Sequence, residues 1–414
     1  MKYQLKCLKT NTLIKDDYTL HYSDNALLRT EYSQMLDDNK NIGVWKYHSW
    51  LPVSGVSKYI AGSITYKATK FGSELGLNNL WVSFHGYWPE KGGLCPTGSF
   101  KDMEAVPTIQ RLIDYDGKGL ICASAGNTAR AFTHFCGLAD IPLIVIVGKD
   151  HAKRIWARPE NPLNSVKLVV IKDGDYSDAK WVAKKLASQL VGWQLEGGVH
   201  NVARRDGIGT LIINAAQEMQ RLPDHYFQGV GGGPGPIGVN EMAERLIEAK
   251  MFDGPVPKQH LSQNLEHRPI HNAWKDRRNE LSDEDFPSHD VKVYSDYLMN
   301  TAPAYSIIGG VYDILNKSNG ETYAITEKEA IAAKNLFESI EGIDIMTPSA
   351  VSTASVIKAI ELGNVKKEDY VLLNISGGGV ARLSAEQELK QAEPWILVDR
   401  EAAVQTIIGK LTKS

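Results

Sequence analysis

Cysteine is scarce in this chain: Cys7, Cys95, Cys122 and Cys136 are the only four, and none stands in a C-x-x-C pair. That spacing offers no zinc motif and no disulfide framework, so buried reduced thiols and no metal are expected. Long apolar runs are missing too. No window approaches about 18 uninterrupted apolar residues, so no membrane-spanning helix is predicted. The opening MKYQLKCLKTNT lacks the apolar stretch of a secretion signal. Basic runs are absent and the formal net charge is -3, which gives no reason to expect nucleic acid or an anionic membrane surface as a partner. No repeat at solenoid spacing is present. These absences leave a globular protein with the cytoplasm as its expected location.

What is present is ordinary in bulk and unusual in its loops. The chain has 414 residues, 43% apolar and 23% charged; the length predicts two or three lobes. Residues 1 to about 60 read as irregular with short strands. WVSF (81–84) is a candidate strand, and DMEAVPTIQRLIDY (102–115) a helix with Val106, Ile109, Leu112 and Ile113 on one face and a kink expected at Pro107. GLICAS (119–124), AGNT (125–128), a helix from Ala129 to about Ala139 and PLIVIVG (142–148) make a strand–loop–helix–strand unit, the signature of a parallel sheet. VKLVVIK (166–172) and a helix over 178–190 repeat the pattern. A helix over 209–220, the strand HYFQGV (225–230), the loop GGGPGPIG (231–238) and a helix over 239–250 repeat it again. Residues 253–300 are rich in proline, histidine and charge, and read as an elaborated surface region. Helices follow over 327–340 and 351–362, then the strand VLLNIS (371–376) ending in GGG. The class is α/β, with parallel or mixed sheets flanked by helices. The expected division is 1–104 as an N-terminal contribution to a large domain, 105–190 as a small domain and 191–414 as the large domain.

Four loops fall where open α/β sheets bind ligands, beyond the carboxyl ends of strands. PTGSFKDM (96–103) places Lys101 where a helix begins. Ser99 and Asp102 read there as a capping-box-like pair; alternatively, the positive end of the helix favours the neutral amine that a covalent lysine needs. SAGNT (124–128) exposes backbone donors before a helix, suited to a carboxylate or phosphate, or is a simple Asn-Thr cap. GVGGGPGPIG (229–238) is a nest of backbone donors fit for a phosphate. It also resembles a dinucleotide fingerprint, although Pro234 and Pro236 remove two donors and no acidic residue closes a ribose-binding strand after it. NISGGG (374–379) sets Ser376 at a strand end before three glycines.

Taken together and in this order, the four loops resemble those of the pyridoxal-phosphate enzymes of the tryptophan synthase β-like fold (fold type II), most of all the threonine synthases. The resemblance extends from YQLKCLK through ITYKATKFGSELGLNNLWV (64–82) to EGIDIMTPSA (341–350) and VLLNISGGG. It implies a two-domain enzyme with pyridoxal 5'-phosphate as cofactor. Lys101 would hold the cofactor covalently and act as the base at Cα. Asn127 would hydrogen-bond the pyridine 3′ oxygen, with Ser124, Ala125, Gly126 and Thr128 receiving the substrate carboxylate. Gly231, Gly232, Gly233 and Gly235 would surround the cofactor phosphate, and Ser376 would face the pyridine nitrogen. A hydroxyl there makes the ring a weaker electron sink than an aspartate would, which suits elimination and replacement at Cβ.

The departures carry information. Ser83 and His85 stand in WVSFHG where threonine synthases usually read W-V-K-D-E, and Ala129 and Arg130 follow SAGNT where small residues are usual. With the unusual 253–300 stretch, these features make the chain look like the cysteate synthases of methanogenic archaea, which serve coenzyme M formation. That resemblance implies a homo-oligomer acting on two small anions, O-phospho-L-serine and sulfite, to give L-cysteate and phosphate. Two anions call for cations: Arg130 is the first candidate, followed by Lys149, His151, Lys153, Arg154, Arg204 and Arg205, the last two expected in a loop. Threonine synthase acting on O-phosphohomoserine, a sulfhydrylase using sulfide and a nicotinamide-binding dehydrogenase are the alternatives.

Overall fold

The computed structural model describes residues 2–37, 39–124, 126–289 and 291–413. Two sheets organise them. The larger has six strands in the order Glu321–Ile325, Lys258–Asn264, His225–Gly229, Tyr370–Gly378, Asn79–Gly86 and Ile64–Lys67. All neighbours are parallel except the last pair. The smaller has five parallel strands in the order Trp193–Leu195, Gly119–Ala123, Leu143–Gly148, Val166–Ile171 and Pro394–Val398. Parallel strands are covered by helices on both faces, so they read as continuous apolar runs rather than alternations. LIVIVG and VKLVVI are of that kind, and the α/β reading is borne out. Trp193–Leu195 and Pro394–Val398 lie beyond residue 190 yet pair into the five-stranded sheet. A small antiparallel sheet of Tyr3–Cys7, Leu13–Ile14 and Leu28–Tyr32 forms the N-terminal segment.

The stretch 253–300 is not merely surface elaboration. Its Lys258–Asn264 strand lies inside the six-stranded sheet, and Gln259, His260, Ser262, Gln263 and Asn264 are buried. His260 is tolerated there because it has partners: it stacks on Phe227 at 4.2 Å and hydrogen-bonds His225 and Tyr323. A sequence of polar residues hides such a strand from any reading of hydropathy.

Helices also differ from expectation. The helix expected over 209–220 runs Val202–Met219. Its charged first turn is buried, with Arg205 paired to Glu241 and Asp206 to Arg245, so Arg204 and Arg205 are helical rather than in a loop. The helix after the glycine loop begins at Pro234, inside the expected loop; proline suits a first helical position because the N–H it lacks has no partner there. The helix Lys101–Asp114 continues through Pro107. Proline leaves the Met103 carbonyl without its helical donor, and a side-chain carbon at Gly207 would lie 2.1 Å from that oxygen. Glycine therefore lets the helix Val202–Met219 press against the proline turn. Ile113 is 44% exposed, off the apolar face assigned to it, whereas Arg111 is buried and holds Asp16 with two hydrogen bonds at 2.6 and 2.9 Å.

Candidate active site

The lysine loop is zipped onto the strand Tyr370–Gly378. Phe100 N–H donates to the Ser376 carbonyl at 3.0 Å, Gly378 N–H donates to the Gly98 carbonyl at 3.1 Å, and Ser99 bridges Gly377. These bonds place Lys101, the first residue of its helix, beside Ser376. The capping box is absent: Phe100 occupies the cap position, and the buried Ser99 hydroxyl has no partner among the described residues. Asp102 instead reaches back to accept the Thr97 N–H at 2.8 Å and its hydroxyl at 2.5 Å. Burial pushes the Asp102 carboxyl up to about 7, against the pull of those two bonds.

The Lys101 amine is mostly buried and contacts the Glu104 carboxylate one turn later. Burial lowers its pKa and the Glu104 charge opposes the shift. Glu104 is shared with Arg204, which also binds Glu196 and donates to the Thr128 hydroxyl at 3.4 Å. Arg204 is thus committed to carboxylates, and Arg205 to Glu241, away from this loop.

In the second loop Gly126 is the cap and the helix runs Asn127–Ala139, two residues earlier than expected. No side-chain cap forms; Ser124 Oγ accepts the Gly126 N–H at 3.4 Å. Ala125 lies outside the described residues. Asn127 Nδ2 faces the Met346 sulfur at 3.7 Å, and Asn127 Oδ1 accepts from Arg130 Nη2 at 2.6 Å. Met346 in turn donates its N–H to the Gly377 carbonyl at 3.0 Å. On the other flank, a side-chain carbon at Gly126 would lie 3.2 Å from the Tyr297 ring, and one at Gly231 would lie 3.4 Å from the Tyr297 carbonyl. Contacts therefore run without interruption from Lys101 through Ser376, Gly377, Met346, Asn127, Gly126 and Tyr297 to Gly231. These contacts link all four loops. Ser376 lies within its strand rather than at the end, 6% exposed.

The glycine loop requires its glycines. Gly233 has φ +99, and a side-chain carbon there would meet Val311 at 2.7 Å; at Gly235 it would meet the Gln228 amide at 2.5 Å. Gly233 is the cap and Gly235 lies in the first turn of Pro234–Glu248, where N–H groups have no helical acceptor. Such donors, at the positive end of a helix, suit a phosphate.

Arg130 stands apart electrostatically. Five arginines are buried: Arg111, Arg130, Arg204, Arg205 and Arg245. Four are ion-paired; among the described residues, Arg130 has no carboxylate partner and its Nε has no hydrogen bond. Its guanidinium lies over the Trp156 ring at 4.5 Å. Burial pulls its pKa below the ordinary value, opposed by Tyr297 and Asp102 nearby. Of the other candidate cations, Lys149 and Lys153 are exposed on a short turn, His151 is partly buried on it, and Arg154 is paired with Asp296 at 2.5 Å. Sequence reasoning missed Glu104, Trp156, Met346 and Tyr297. Only Glu104 carried a signal, one helical turn after the lysine.

The family model described as "Pyridoxal-phosphate dependent enzyme" matches residues 71–377. The "Cysteate synthase" of Methanosarcina barkeri is 46% identical over 399 residues, covering 95% of each chain; that of Methanocella arvoryzae is 42% identical, also over 95% of each. In fold, the chain is similar to maize serine racemase, with TM-score 0.60 and 14% identity over 85% of this chain and 93% of that one. It is also similar to a pyridoxal 5'-phosphate-dependent aspartate racemase, with TM-score 0.58 and 16% identity over 77% and 90%. The residues present fit the family's cofactor: a buried amine of lowered pKa at Lys101, an amide at Asn127, and a glycine cradle that side chains at 233 and 235 would fill. With a match over most of its length and a fold in accord, this chain belongs to the pyridoxal-phosphate dependent enzymes.

Proposed function

We propose that the protein is a cysteate synthase that converts O-phospho-L-serine and sulfite to L-cysteate and phosphate, in coenzyme M biosynthesis. The observation that carries this reading is Arg130, a buried guanidinium with no carboxylate partner among the described residues and adjoining the SAGNT loop. Desolvating an ion costs several kcal/mol, and an oxyanion beside Arg130 offsets that cost. Relatives of that name at 40–46% identity support the same assignment.

The roles follow the loops. Lys101 anchors the cofactor; Gly231, Gly232, Gly233 and Gly235 receive its phosphate, Asn127 its 3′ oxygen, and Ser376 its ring nitrogen. Ser124, Ala125, Gly126 and Thr128 receive the substrate carboxylate. When bound, the cofactor supplies an electron sink for the pair left as the Cα–H bond breaks. Lys101 accepts that proton, its lowered pKa making the neutral amine available. Phosphate departs with the Cβ–O electron pair, and Arg130 neutralises the charge that develops. The sulfur lone pair of sulfite forms the new bond at Cβ, and Lys101 returns the proton to Cα. The five-stranded unit carries the substrate loop and the six-stranded unit the phosphate loop, the arrangement of a small substrate domain on a large cofactor domain. A homo-oligomer in the cytoplasm belongs to the same reading; the four unpaired cysteines support a reducing compartment.

Product identification from O-phosphoserine and labelled sulfite tests the proposal. Labelled cysteate with stoichiometric phosphate is expected. Pyruvate alone, or phosphate release from O-phosphohomoserine with none from O-phosphoserine, would overturn it.

A further inference from the structure

The segment Asp296–Leu298, a short helical turn, is fastened to the six-stranded unit and reaches across to the five-stranded one. Its anchors are firm. Asn264, at the end of a central strand, donates to the Ser295 carbonyl at 2.9 Å and accepts the Ser295 N–H at 3.0 Å. Thr347 donates to the Ser295 hydroxyl at 3.0 Å, and Leu298 is buried in the apolar core. From this base Asp296 takes Arg154, and the Arg154 guanidinium lies over the Tyr297 ring at 5.5 Å. The ring is thereby pressed on the backbone of Gly126, where even one added carbon would approach it to 3.2 Å. Tyr297 interacts with the Arg130 guanidinium closely enough to oppose the lowering that burial imposes on its pKa.

The neighbours of Arg130 then divide clearly. Trp156 lies against one face of its guanidinium, Asn127 takes one N–H, and among the described residues Nε is buried without a partner. With Arg130, the Tyr297 hydroxyl makes a small set of donors suited to a tetrahedral or pyramidal oxyanion. We propose that Tyr297 is a specificity-determining residue that, with Arg130, forms the oxyanion subsite for the incoming sulfite, and that the Asp296–Arg154 pair holds it there. This rests on the cysteate synthase reading. The chemistry is discriminating because the buried charge of Arg130, with a neutral hydroxyl donor beside it, rewards an anionic acceptor and leaves water or a neutral thiol without matching charge. Arg154 is then a positioning residue, acting through Tyr297.

The test uses the cofactor-loaded enzyme and inorganic sulfate as the probe of the subsite. Sulfate binding by calorimetry, the KM for sulfite, and the partition between cysteate and pyruvate are measured for wild type, Tyr297→Phe and Asp296→Asn. Phenylalanine keeps the ring against Gly126, so the fold is retained, and thermal melting checks this. Losing one hydrogen bond to a charged group is expected to weaken sulfate binding and raise the sulfite KM about tenfold in Tyr297→Phe. The KM for O-phosphoserine should change much less, and the products should shift toward pyruvate. Asp296→Asn should move the same quantities in the same direction by less. Unchanged sulfate affinity in Tyr297→Phe overturns the proposal, as does a fall in kcat alone with KM and partition intact. If the wild type makes no cysteate yet loses sulfate binding on Tyr297→Phe, the subsite stands and only the cysteate synthase reading falls.

Discussion

The Glu104 carboxylate meets the Lys101 amine one helical turn after it, inside the protein. Its charge opposes the lowering that burial imposes on the amine. Because Arg204 shares that carboxylate, the basicity of the lysine is set partly by a residue of a different helix. Replacing Glu104 by Gln removes the opposing charge, so the Lys101 pKa falls further. The pH profile of Lys101 modification by an amine reagent, read by peptide mass spectrometry on cofactor-free protein, should move to lower pH. Breaking the buried pair should also cost on the order of 3–5 kcal/mol of stability.

Lys101 itself gives the sharpest test of the assignment. Borohydride treatment of the loaded protein should leave the cofactor on the peptide containing Lys101. Lys101→Ala should show no such adduct and no turnover, while still unfolding cooperatively.

Arg130→Lys keeps the charge but loses the planar fork and the stacking on Trp156. Charged hydrogen bonds of this kind contribute about 1.5–3 kcal/mol. The expected result is a loss of about ten- to a hundredfold in kcat/KM with oxyanion substrates, measured by steady-state kinetics, with little change in cofactor content.

Asp102 predicts a pH dependence of stability. Its folded pKa, about 7, stands above its ordinary 3.8, so the folded state holds the proton more tightly than the unfolded chain does. That contribution is complete below about pH 4 and is lost as the pH rises through 7. Three pKa units correspond to an upper bound of about 4 kcal/mol. Asp102→Asn, which can still accept the Thr97 N–H, should lose less stability than wild type between pH 5 and pH 8 in urea unfolding. Parallel losses in the two proteins would contradict this.

Gly233→Ala forces a side chain into a left-handed conformation at φ +99 and toward Val311. Strain of about 1–3 kcal/mol at this backbone position should weaken cofactor affinity about tenfold or more. Titration of the stripped protein with pyridoxal 5'-phosphate measures it.

Much of this was legible in the sequence. Apolar runs such as LIVIVG announce strands buried on both faces, and glycine loops announce close backbone approach. The illegible parts share a cause: polar residues buried with partners far along the chain. Lys258–Asn264 reads as a loop until His225 and Tyr323 are placed beside His260. The first turn of Val202–Met219 reads as solvated until Glu241 and Arg245 reach it. Tyr297 was hidden in a stretch without periodicity, because its importance lies in where Asn264 and Asp296 hold it.

The strand Pro394–Val398 has a consequence for how the molecule is made. It pairs with Val166–Ile171, and the helix Arg400–Leu411 packs behind it. The chain thus passes between the two sheets after Gly86, after Leu195 and again after Gly378. On the ribosome, the unit built around SAGNT must wait, one edge unmet, until nearly everything downstream has been synthesised. A stalled or truncated product would leave Val166–Ile171 open to pairing with a foreign strand.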